Sequence, residues 1–151
     1  MSYYLYVKTS DNTYESCNSN ITASNFTRLI NTMRTTISKF RSLSISLFQE
    51  QATELVEEDF NWTMLDSHMR IMQENAKDIE RADVCLIFLD QFASAGEMAT
   101  EDVQQLFALF IMTCNPHKMR DYRSDEGYAM DKIAAWNYFI STMPNGLVYV
   151  G

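Results

Sequence analysis

Ala82-Asp83-Val84-Cys85-Leu86-Ile87-Phe88-Leu89-Asp90 is the stretch on which the fold turns. Its six central residues, Val84 to Leu89, are apolar and stand between carboxylates. A run of that length suits a strand buried on both faces or a segment of a buried helix, and periodicity alone does not separate the two. Its shortness, and its place after a helical pattern, predict a strand. Ser42-Leu43-Ser44-Ile45-Ser46-Leu47-Phe48 poses the same question. Polar and apolar residues alternate there with the period of a half-buried strand, and serine at every other place is a poor helix former. Residues 43–48 therefore also read as a strand, although a helix running through them is the competing reading.

The neighbouring segments carry helical spacing. After Ser24, a good N-cap, Phe26, Leu29, Ile30, Met33, Ile37 and Phe40 recur at three and four, which predicts a helix over 26–40. Thr63 and Asp66 approximate a capping box, and Trp62, Leu65, Met69, Met72, Ala76 and Ile79 predict a helix over 63–80. Thr100-Glu101-Asp102 opens a helix over 101–114 that Asn115-Pro116 stops. Ser124-Asp125-Glu126 opens another over 126–141, ended by Pro144-Asn145-Gly146. Strands at 3–8 and 147–150 complete the pattern. The order β-α-β-α-β-α-α-β predicts a mixed α/β, helix-rich fold with four main helices packed on a small, mainly parallel sheet. Should 43–48 and 84–89 both be helical, the alternative is a helical bundle with a marginal sheet.

Composition bounds the rest. The 151 residues, 46% hydrophobic and 21% charged, suit a single globular domain, 1–151, that buries its core without disulfides. Four Gly and two Pro favour long regular elements over special turns. Met1 to Lys8 lacks the basic region and apolar stretch of a signal peptide, and no window approaches the roughly 18 apolar residues of a membrane span. A soluble chain with no membrane partner is expected. Cys17, Cys85 and Cys114 are odd in number and unrelated in spacing, which fits reduced thiols and a cytoplasmic setting. In that setting the glycosylation-type triplets at Asn20, Asn25 and Asn61 carry no weight.

The net charge of −8 opposes direct nucleic-acid binding, and its distribution is uneven. Arg28, Arg34, Lys39 and Arg41 fall in a stretch without acids, 16–49. Glu50, Glu54, Glu57, Glu58, Asp59 and Asp66 fall in one without Lys or Arg, 42–69. The acidic run 50–59 is a solvated face, an internal partner for Arg28 to Arg41, or a patch that docks on a basic protein. Phe48, Phe60 and Trp62 beside it are of the type that anchors interfaces, or belong to the core.

Catalytic words are scarce. Cys114-Asn115-Pro116-His117 has a spacing metal sites use, but a structural zinc needs four ligands and the other cysteines have no partner at ligand spacing. His68, on a helix with Asp66, reads as a boundary histidine. There is no phosphate loop and no Gly-x-Ser-x-Gly elbow, so neither metal nor cofactor is expected. Asp78 to Asp90 followed by Gly96-Glu97-Met98-Ala99 is similar to a stretch of nucleoside deoxyribosyltransferase-like proteins, in which a helix leads into an Ala-Asp-apolar strand closed by an Asp. The resemblance spans about 25 residues of the chain, and the Gly-Pro loop such enzymes carry after the first strand is missing. It implies an α/β enzyme in which Asp90 orients a sugar and Glu97 attacks its anomeric carbon, both beyond the carboxyl ends of strands.

Absent catalytic words and a polarised charge favour a non-enzymatic interaction protein, of inhibitor or immunity type, that meets a basic macromolecular target. Its contact residues are expected to be Glu50, Glu54, Glu57, Glu58, Asp59, Phe60 and Trp62. The nucleoside-binding enzyme using Asp90 and Glu97 is the alternative, and a homo-oligomer is open in either case.

Overall fold

The computed structural model of the protein describes residues 2–151. Before Gly96 the chain contains neither glycine nor proline, and two long helices take up most of that length. α1, Ala23–Leu55, has 33 residues and α2, Leu65–Ala93, has 29. They run antiparallel, since Arg34 pairs with Asp90, Arg41 with Asp83, and Gln51 with His68. At about 1.5 Å per residue they are roughly 50 and 43 Å long, more than the width of a small domain. Buried apolar side chains of α1 end at Ile37 and those of α2 begin at Ala82; beyond them only Ser44 and Asn75 are buried. The far half of the hairpin thus packs mainly on itself and extends past the core.

The remaining elements build the body. β1, Ser2–Tyr3, pairs with β4, Ile21–Thr22. A four-stranded sheet has the order β3 (Tyr14–Ser16), β2 (Leu5–Lys8), β6 (Leu147–Val150), β5 (Met98–Ala99), with every pairing antiparallel. Leu5, Val7, Val148 and Val150 turn one face into the core. On the other, Tyr6 stacks on Tyr149 at 5.0 Å and Tyr14 meets Tyr149 edge-on at 5.9 Å. α3, Thr100–Thr113, the short α4, Pro116–Met119, and α5, Asp125–Ser141, complete the chain. Trp136 of α5 is fully buried against Phe92 of α2, 6.1 Å between ring centres, and its indole N–H donates to the Ser19 carbonyl at 2.7 Å.

Strands at both ends of the chain and helices over 101–114 and 126–141 agree with expectation to within a residue or two, 26–40 and 63–80 are helical but belong to much longer helices, and the fold is mixed α/β and helix-rich. Two expectations fail together. Residues 43–48 lie inside α1 and 84–89 inside α2. Extending a helix already begun costs no new nucleation, whereas a strand needs a neighbour to pair with, and a serine costs only about half a kcal/mol against alanine. The alternation at 42–48 does not set which side is buried: Ser44 is 2% exposed while Leu43 is 59% exposed, and Ser42 and Ser46 are exposed with Leu47. In α2 the helical spacing Ala82, Cys85, Leu89 and Phe92 is what is buried. With those strands gone no βαβ crossover remains, so the mainly parallel sheet is replaced by the antiparallel one described above.

Capping also departs in detail. Thr22, and not Ser24, caps α1 by accepting from the Asn25 amide, and Thr63 caps no helix: it lies within a 3₁₀ turn, Trp62–Met64, that Asn61 caps and that precedes α2. Ser124 caps α5 as its sequence suggests, accepting from Gly127 N at 3.0 Å.

Candidate functional site

The acidic run sits at the free end of the hairpin. After Leu55 the chain reverses through 56–61, held by backbone bonds from Glu57 N to Glu54 O and from Phe60 N to Glu57 O, both 3.2 Å. Asn61 then accepts from Thr63 N at 3.1 Å and starts the 3₁₀ turn Trp62–Met64 that leads into α2. Phe60 is the hinge pin of this turn, half-buried, with its ring edge-on to His68 at 5.1 Å and to Trp62 at 5.2 Å. His68 is 16% exposed at its side chain, donates from Nδ1 to Gln51 Oε1 at 2.5 Å, and stands 3.4 Å from Glu54 Oε2. Around this small polar and aromatic plug, Glu50, Glu57, Glu58 and Asp59 are exposed, as are Val56 at 83% and Trp62 at 69%.

Two electrostatic features define the tip. First, the bases of α1 are already matched elsewhere: Arg28 with Asp125, Arg34 with Asp90 at 3.0 Å, and Arg41 with Asp83. The internal-partner explanation of the acidic run therefore fails; among the described residues no Lys or Arg comes within ion-pair distance of Glu50, Glu54, Glu57, Glu58 or Asp59. Second, the acids crowd the C-terminal end of α1, whose last turn carries no base. The exposed carbonyls of a helix C-terminus already carry partial negative charge, so each acid there costs about 0.3–1 kcal/mol at low salt. The positive end of α2 lies across the turn but holds its own acid, Asp66.

The expected partner-contact residues Glu50 to Trp62 are thus brought together, with Glu54 turned inward onto His68. Asp90 and Glu97 are not placed as the resemblance implies. Asp90 lies within α2, not at a strand end, and is bound to Arg34 on the flank of the hairpin. Glu97 follows the turn after α2 and precedes β5, next to the sheet; there burial first, then Tyr14, Tyr6 and Glu97, push the Tyr149 hydroxyl up.

Cys114 is buried at the end of α3 and His117 is exposed in α4. Among the described residues no three of His, Cys, Asp and Glu converge on a point that would hold a metal, and no helix is long and apolar enough to cross a membrane.

Sequence reasoning missed a second surface. On one flank of the hairpin, Phe48, Leu55, Met69, Met72 and Ala76 line a groove of about 280 Å³ between α1 and α2. The signal was a seven-residue spacing, Arg34, Arg41, Phe48 and Leu55 on α1 and Met69, Ala76, Asp83 and Asp90 on α2, visible only once both helices are taken as continuous. Neither protein-family models, nor curated proteins, nor solved structures contain a match to this chain.

Proposed function

We propose that the protein is an interaction module, of inhibitor or immunity type, whose hairpin tip docks on a basic surface of a macromolecular target. The observation that carries the reading is the acidic tip itself: Glu50, Glu57, Glu58 and Asp59 without internal cations, at the negative end of α1, beside exposed Val56 and Trp62. The tip holds like charges together at a cost that a cationic partner removes, and complementary fields speed the encounter. Trp62 supplies the apolar anchor such an interface needs at its centre. The half-buried Phe60–His68–Gln51 plug keeps that presentation rigid, which limits the entropy lost on docking.

Parallel capture from cells of the chain's source, with the wild type and with Glu57→Lys/Glu58→Lys/Asp59→Lys, tests this. A partner with a basic surface should be recovered at stoichiometric yield by the wild type, be lost with the triple variant, and associate more slowly as salt rises. Equal recovery of the same partner by both proteins overturns the reading.

A further inference from the structure

We propose that the far half of the hairpin, from about Ser42 to about Asp78, is an order–disorder element. It opens as one cooperative unit while the body stays folded, and the unmatched charge of its turn sets how often it opens. Between Ile37 and Ala82 no hydrophobic side chain is buried. Only Ser44 and Asn75 are, and Asn75 Nδ2 has no hydrogen-bond partner. The body, by contrast, completely buries Leu29, Met33, Leu106, Phe110, Ile133 and Trp136. Regions with few buried apolar contacts open at a lower free energy than the core they adjoin. The far stretches of α1 and α2, about 14 residues each, are of the length at which a helix is marginal on its own. They hold each other closed, and nothing else packs on them.

Two fixtures bound the unit. On the body side the last ties are the Arg41–Asp83 ion pair, the groove that Phe40 and Leu43 share with Thr113 and Asn115, and the approach of Lys77 and Arg81 to Gln105. At the free end His68 joins both helices, bound to Gln51 at 2.5 Å and edge-on to Phe60 at 5.1 Å. A turn without such a plug frays residue by residue. With it, the turn holds until the seam as a whole gives way, so opening is all-or-none between the two fixtures. Charge then biases the equilibrium. Among the described residues no Lys or Arg pairs with Glu57, Glu58 or Asp59, which follow the negative end of α1. Opening dissolves that helix end and lets the acids spread, so each acid favours the open form by about 2- to 5-fold. A cationic surface docked on the turn would close the unit. That last step rests on the proposed function, and the opening itself does not.

Hydrogen exchange of the full chain, without any partner, tests it. Helix amides within 46–55 and 69–78 should share one protection factor, at least about 10-fold below that of amides within 30–37, 104–110 and 133–140. Ile133→Val trims a side chain fully buried in the body. It destabilises the closed and the opened forms alike relative to the unfolded chain, so body protection should fall about 3- to 10-fold while that of the far hairpin stays unchanged. Glu57→Lys/Glu58→Lys/Asp59→Lys places bases at the end of α1 and should raise protection of the far hairpin about 10-fold. Equal protection in hairpin and body, protection that climbs gradually away from the turn, an equal fall in both regions on Ile133→Val, or no gain in the triple variant would each overturn the proposal.

Discussion

Asn75→Leu should stabilise the protein, against the usual sign for a substitution at a buried site. Asn75 lies on the face of α2 turned to α1, in line with His68 and Ala82 at seven-residue spacing, and is 7% exposed. Its Nδ2 has no hydrogen-bond partner. A buried amide left unpaired costs about 1–3 kcal/mol, and leucine is the better helix former by roughly half a kcal/mol. Leucine has the same number of side-chain heavy atoms, so the seam does not need to widen, and a shape mismatch should return no more than about 1 kcal/mol. The net expectation is a gain of about 0.5–2.5 kcal/mol, which for a chain of this size is about 1–10 °C in Tm. Urea unfolding followed by helix signal, with an unchanged m-value, measures it. Asn75→Ala serves as the control: it relieves the amide but leaves a void, and should be close to neutral. A loss of more than about 0.5 kcal/mol in Asn75→Leu would refute the reasoning, since it would mean that the amide is satisfied in solution. A buried polar residue between helices is a known device for fixing register, and here the register aligns Arg34 with Asp90 and Arg41 with Asp83.

Ala95 has φ 59° at the end of α2, where Gly96 N reaches Gln91 O at 3.1 Å in a Schellman closure, so Ala95→Gly should gain about 0.5–1 kcal/mol in urea unfolding. Gly127→Ala should do the reverse despite lying in a helix: its Cβ would fall 1.8 Å from the Asp121 carbonyl oxygen, and about 2–4 kcal/mol should be lost as the Ser124 cap is pushed away, whereas a gain would show that residues 121 and 127 do not approach so closely. Hydrogen bonds from Thr13, and then from Thr9, lower the Asp11 carboxyl from 3.8 to about 2. The folded value lies below the unfolded one, so its contribution to stability is present above about pH 4 and fades as pH falls toward 2; an NMR titration should show the low midpoint, and Thr13→Val should return it toward the usual range. Incubation with deoxynucleosides and free bases should give no base exchange, and exchange abolished by Glu97→Ala would restore the enzyme reading.

The ends of the fold were legible because their signals are local. Ser124 is a cap wherever it stands before Asp125-Glu126, and Leu147-Val148-Tyr149-Val150 has the composition of a strand before any neighbour is known. The centre was not, because the decision at 42–48 belongs to α1 as a whole. No glycine or proline interrupts residues 23–55, so the helix continues, and the alternation gives way to helical spacing: Ser44 is buried and Ile45 and Phe48 half-buried, while Ser42, Leu43, Ser46 and Leu47 are exposed. Small side chains let two helix axes approach closely, which a two-state hydrophobic pattern scores as the wrong face. The run 84–89 misled for the complementary reason. Within it only Cys85 and Leu89 are buried, at helical spacing, while Val84 and Ile87 are exposed, and its charged flanks, Asp83 and Asp90, are set by ion pairs with α1 that no local window contains.

The same dependence explains what the candidate site owes to sequence and what it owes to the fold. The acidic run was visible as a run, but its meaning rested on where Arg28, Arg34 and Arg41 spend their charge. Had 43–48 been a strand, α1 would have ended near Arg41 and the acids would have had free bases within reach. Continuing the helix carries Glu50 and Glu54 about 14 and 20 Å beyond Arg41 along the axis, at 1.5 Å per residue, with Glu57 to Asp59 in the turn that follows, while α2 and α5 bring Asp83, Asp90 and Asp125 to the arginines in their place. One structural decision thus strips the acidic run of internal partners and moves it to the most distant point of the hairpin. The surface proposed to meet a target follows from the persistence of α1 through four serines, Ser38, Ser42, Ser44 and Ser46.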